Sequence, residues 1–90
     1  MHCWEYRSTL LDPVITRLVK MRGWRLKEIN EQEQPGWEKT EVYPSVTDFC
    51  HQMDQQGWDL ASAVYPDRQL LMVILYFKRP CPENRDWRGV

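Results

Sequence analysis

Ninety residues with a formal net charge of −1 make one small domain, and a chain of this length buries only about two thirds of the surface it exposes when unfolded. Charged residues at 28% and hydrophobic ones at 42% exclude a disordered chain, and the longest apolar run, Leu70 to Phe77, is far short of the roughly 20 residues that cross a bilayer as a helix. Glu5, Arg7 and Asp12 interrupt the N-terminal apolar residues, so no signal-peptide core is read and the chain is assigned to the cytoplasm, with no membrane partner.

Trp4, Tyr6 and Leu10 alternate with Glu5, Arg7 and Thr9, the period of a first strand of about seven residues. Asp12 followed by Pro13 is a helix start, because aspartate caps and proline is tolerated at the first helical position. Val14, Ile15, Leu18 and Val19 would form the apolar stripe of that helix, and Gly23 would stop it, with Trp24 folding back on Val19. A strand is expected through Leu26 and Ile29, then a polar loop from Asn30 to Gly36, then a weaker strand from Trp37 to Tyr43 near a sheet edge.

The strongest signals follow. Ser45 caps a helix, Asp48 favours its positive end, and Val46, Phe49, Cys50 and Met53 give one apolar stripe. Gly57 supplies the left-handed stop, and Trp58 is placed to close onto Met53 in a Schellman arrangement. Trp58, Leu60, Ser62 and Val64 alternate as a strand with one buried face, Pro66 and Asp67 turn the chain, and Leu70 to Phe77 read as a strand with both faces out of water. Lys78, Arg79 and Pro80 end it, and residues 81–90 read as a C-terminal tail in which Trp87 has the surface to dock.

Trp4-Glu5 leads to Gly23-Trp24-Arg25-Leu26 over nearly the interval at which Trp37-Glu38 leads to Gly57-Trp58-Asp59-Leu60. The expected fold class is therefore α+β: a duplicated βαβ unit with one added strand, of order βαββαββ. Residues 1–80 would form a two-layer ferredoxin-like sandwich, an antiparallel sheet with two helices on one face. From Trp37 to Pro80 the chain resembles domain of unknown function 4177. The resemblance rests on Trp37-Glu38, the helix ending in Gly57-Trp58-Asp59-Leu60, and the hairpin ending in Lys78-Arg79-Pro80. Residues 4–29 look like a partial second copy. That family carries no agreed activity, so the resemblance implies no chemistry.

Three cysteines, Cys3, Cys50 and Cys81, are odd in number and widely spaced, which argues for reduced thiols rather than a disulfide framework. His2-Cys3, Cys50-His51 and Cys81 offer metal-ligand atoms, but without the paired spacings of structural zinc sites. No nucleophile elbow or glycine-rich phosphate loop is present. No catalytic residue, metal or cofactor is assigned.

Charge is uneven: residues 1–27 carry +4, residues 28–67 carry −8 and residues 68–90 carry +3. Arg17, Lys20, Arg22, Arg25 and Lys27 around Trp24 form a basic patch that would suit RNA, and a pocket between sheet and helices would suit a small ligand. The favoured reading is a non-catalytic module that self-associates or docks on a protein partner. Its face is assigned to Leu71, Val73, Leu75 and Phe77, with Trp87 beside them, and the opposite face, Leu70, Met72, Ile74 and Tyr76, stands as the alternative.

Overall fold

A long first strand holds the fold together. In the computed structural model, which describes residues 3–16, 20–66 and 71–81, β1 (Trp4–Ile15) lies at the centre of a five-stranded sheet. The other strands are β2 (Met21–Ile29), β3 (Gln32–Glu33), β4 (Asp59–Val64) and β5 (Val73–Pro80). Their order is β3-β2-β1-β5-β4, and every neighbouring pair is antiparallel. One α-helix, α1 (Val46–Gln55), is present among the described residues. No helix there is long and apolar enough to cross a membrane.

This architecture overturns the ferredoxin-like two-helix sandwich. The helix expected from Asp12 does not form: Asp12, Pro13 and Val14 stay in β1 and pair with Arg25, Trp24 and Gly23 of β2. Capping by aspartate and proline is a preference of a few kcal/mol at most, and a continuous ladder to a neighbouring strand overrides it. Pro13 is tolerated because β5 reaches only to Val73, opposite Leu11, which leaves the strand with one strand neighbour at that point. Leu18 and Val19, the rest of the expected stripe, lie outside the described residues.

The duplication fails at its glycines. Gly57 stops α1 as expected, with φ of 88°, the Gly57 amide donating to Asp54 O at 2.9 Å and the Trp58 amide to Met53 O at 3.0 Å. Gly23 lies inside β2, buried, with φ of 146°. A β-carbon there would collide with the Tyr43 carbonyl and with Val42 Cγ1. Its missing side chain lets the segment after the 3-10 turn at Trp37–Lys39 cross β2, where Trp24 and Tyr43 exchange two backbone hydrogen bonds of 2.8 Å. That segment is not the strand expected over 37–43; its backbone pairs with β2 at the Trp24–Tyr43 bridge and forms no continuous ladder.

α1 begins where the cap places it: Ser45 Oγ accepts from the Asp48 amide at 3.1 Å. It sets Phe49 and Met53 on the sheet against Leu11, Val73, Leu75, Phe77 and Trp58, which together form the buried core. Tyr43 packs edge-on to Phe49, and Phe49 to Phe77. Among the described residues Thr9 is the one buried polar side chain, and its hydroxyl donates to Leu75 O at 3.4 Å. β4 was expected to bury one face, yet all six of its residues are exposed, because it is an outer strand and only Trp58, just before it, reaches the core.

The cysteines also depart from expectation. Cys3 and Cys81 are bonded across the adjoining ends of β1 and β5, with Cα atoms 5.3 Å apart, inside the range a disulfide spans. The Cys81 amide donates to Cys3 O at 3.0 Å, extending the ladder by one rung. An odd count hid a single bond plus one spare thiol, Cys50, which is half-buried and whose pKa burial pushes up.

Candidate interaction face

Alternation along β1 and β5 divides the sheet into a helix side and an open side. Val73, Leu75 and Phe77 are 0%, 0% and 1% exposed: they lie under α1 and cannot form the association face assigned to them. Leu71 precedes β5 in a turn, exposed and left-handed at φ 57°. Trp87 lies outside the described residues. The run Leu70 to Phe77 suggested two dry faces, but a single helix layer covers only one.

The open side carries the alternate residues. The register sets Tyr6 opposite Lys78, Ser8 opposite Tyr76 and Leu10 opposite Ile74. Flanking them, Glu28 pairs with Leu10 on one side, and Ser62 and Val64 pair with Tyr76 and Ile74 on the other. Tyr6 is 71% exposed and Tyr76 42%. At one end the Lys78 ammonium lies 4.9 Å from the Trp4 ring centroid, a cation held on an exposed aromatic.

Two adjoining clefts run across this face and share Ser8 and Tyr76. The larger, about 250 Å³, is lined by Tyr6, Asn30 and Ala61 among others. The smaller, about 60 Å³, is closed by Leu10, Ile74, Glu28 and Glu31. Asn30 reaches its place through a two-residue turn: Asn30 and Glu31 are both left-handed, φ 51° and 66°, the geometry of a tight hairpin between β2 and β3. There the Asn30 side-chain oxygen accepts from the Ser8 amide at 3.0 Å. The face thus carries Tyr76 in the middle, Trp4, Tyr6, Lys78 and Asp59 at one end and two carboxylates, Glu28 and Glu31, at the other.

The helix side ends in a different cluster. Trp58 is buried, with the Arg7 guanidinium 4.6 Å and the Arg79 guanidinium 4.2 Å from its ring centroid. Arg79 also pairs with Glu5 at 3.4 Å and donates to Gln56 O at 3.4 Å. These charges are tied into the fold.

The basic patch is partly spent in the same way. Arg25 Nε donates to Thr40 O at 3.2 Å, and the Lys27 ammonium lies 5.1 Å from the Trp37 ring centroid. Trp24 packs on the core. Lys20 and Arg22 remain exposed, and Arg17 lies outside the described residues. Beside β2 a cleft of about 460 Å³ is lined by Leu26, Ile29, Gln34, Thr40, Glu41 and Tyr43. Its two ionisable groups bond each other, Tyr43 donating to Glu41 Oε1 at 3.1 Å. Burial, then this hydrogen bond and the carboxylate charge, push the Tyr43 pKa up. Among the described residues no group of three His, Cys, Asp or Glu side chains could hold a metal ion.

No family model, no curated protein and no solved structure matches the chain.

Proposed function

We propose that this chain is a non-catalytic protein-interaction module whose docking surface is the open face of its sheet. The observation that carries this reading is the exposure of Tyr6 and Tyr76 on the two innermost strands, continuous with Trp4, Ile74 and Val64. Aromatic side chains in an open patch are the usual anchors of protein interfaces. The thin core supports the same view, because a single sheet covered on one side leaves stability to be gained by covering the other. RNA is less favoured as the occupant. Glu28 and Glu31 close the cleft beside Tyr76 and would repel phosphates, while Arg25 and Lys27 already serve the fold. The Cys3–Cys81 bond favours an oxidising compartment over the cytoplasm. The resemblance to domain of unknown function 4177 brings no activity to this reading.

A photo-crosslinking residue at position 76, on the open face, should yield a protein adduct, whereas one at Gln52, on the exposed side of α1, should not. Equal yields at both positions, or none at 76, would overturn the assignment.

A further inference from the structure

We infer that the occupant of the open face is a second copy of the chain, stacked sheet on sheet about a two-fold axis so that the strands of the two copies run antiparallel. This deepens the docking reading above and rests on it.

The charge pattern supports the pairing. Lys78 lies level with Tyr6 at one end of the face, and Glu28 lies level with Leu10, four residues along β1, at the other. Glu31 joins Glu28 in the cleft there. A two-fold axis lying between the two sheets, across the strands at the level of Ser8 and Tyr76, exchanges the ends, so each Lys78 of β5 comes to the carboxylate end of the other copy, about two strand spacings to the side of its Glu28 on β2. Asp59, opposite Lys78 on β4, lies on the outer strand and moderates this attraction without reversing it. Stacking with the strands parallel would instead set lysine against lysine and carboxylates against carboxylates.

The area suits a weak pair. β1 and β5 pair over eight rungs and β4 has six residues, but β2 meets β1 only from Thr9 onward, so strands about 4.8 Å apart with about 3.3 Å per residue give a footprint of roughly 400 Å² per copy. That is about 800 Å² for the pair, in the range of weak, transient interfaces. Packed sheets lie about 10 Å apart, which the rings of Tyr6 and Tyr76 can fill.

Sedimentation equilibrium on the full oxidised chain tests this. The wild type should dimerise in the micromolar range. Lys78→Glu alone, and Glu28→Lys with Glu31→Lys, should each weaken the dimer by about tenfold or more, the scale of 1.4 kcal/mol. An equimolar mixture of the two variants should regain wild-type affinity, because each supplies the charge the other lost, and this recovery also shows that both fold. A monomer at several hundred micromolar, or a dimer indifferent to both reversals, overturns the inference. The mass of the adduct formed at position 76 separates the two levels: twice the chain mass supports self-pairing, whereas an adduct with a different protein refutes it and leaves the docking reading standing.

Discussion

Removing the Cys3–Cys81 bond should cost this domain a large part of its stability. The bond joins residues 78 apart in sequence, and closing a loop of that length removes about 4.5 kcal/mol of unfolded-state entropy in the chain-entropy model. The bond adds little new order to the folded state, because β1 and β5 already pair over eight rungs from Trp4↔Pro80 to Leu11↔Val73. A 90-residue chain is expected to have about 5–13 kcal/mol in total, so the bond accounts for a third or more of it. The perturbation is Cys3→Ser with Cys81→Ser, which avoids leaving a single thiol to mispair, and the assay is urea unfolding against the oxidised wild type. A loss of about 2–4.5 kcal/mol is expected, equivalent to a fall in Tm of roughly 10–25 °C. A loss below about 1 kcal/mol would refute the reasoning, as would peptide mapping without reductant that finds Cys81 joined to Cys50.

Three further outcomes follow from the packing. Gly23→Ala should cost about 2–4 kcal/mol in thermal unfolding, since the new methyl meets Tyr43 O and Val42 in a backbone conformation that L side chains rarely adopt; Gly36→Ala, at φ 71° with open space around it, should cost only about 1 kcal/mol. Phe77→Ala should cost about 3–5 kcal/mol and Tyr76→Ala, on the open face of the same strand, under about 1 kcal/mol by the same measurement, so equal losses would contradict the division into two faces. Because folding raises the Tyr43 pKa, the phenol is neutral in both states below about pH 10, and above that the unfolded chain ionises first. Its contribution is therefore present at neutral pH and lost as pH rises, and Tyr43→Phe should flatten the fall in urea stability above pH 10.

The half of the chain from Ser45 onward was legible because its signals are local. A serine cap, a stripe at helical spacing and a glycine followed by an aromatic act through neighbours three to five residues away, and α1 and its Schellman stop stand where those signals place them. The strands after them form with other limits: β4 buries no face, and β5 runs from Val73 to Pro80 rather than from Leu70 to Phe77, because Lys78, Arg79 and Pro80 pair with β1 instead of ending the strand. In the first half the strands expected at Trp4–Leu10 and through Leu26 and Ile29 lie within β1 and β2, but the stretch between them was not legible because distant partners decide its structure. Asp12-Pro13 is a sound helix start in isolation, but the residues around it have β5 on one side, more than 60 positions away, and β2 on the other. Gly23-Trp24 and Gly57-Trp58 share letters and not roles: one glycine makes room for Tyr43, the other ends a helix. The disulfide was hidden for the same reason, since only the pairing of the first and last described strands brings Cys3 beside Cys81.

The proposed docking face lies on the side of β1 that hydrophobicity alone would bury. In the first half of β1 the apolar residues are Trp4, Tyr6 and Leu10, which an apolar-inward rule turns toward the core. The register shows the reverse: Glu5, Arg7 and Thr9 share the helix side with Arg79, Phe77 and Leu75. The polar set is accommodated there because Arg7 and Arg79 lay their guanidinium groups against Trp58, Glu5 pairs with Arg79, and the Thr9 hydroxyl bonds Leu75 O. Burying that set forces Trp4 and Tyr6 into the open. A strand that fills its covered side with charged and hydroxyl groups, while holding a tryptophan and a tyrosine outside, is not arranged for the stability of an isolated monomer. The inversion makes sense if the outer side is itself covered when the molecule works, and that ties the composition of β1 to the interface.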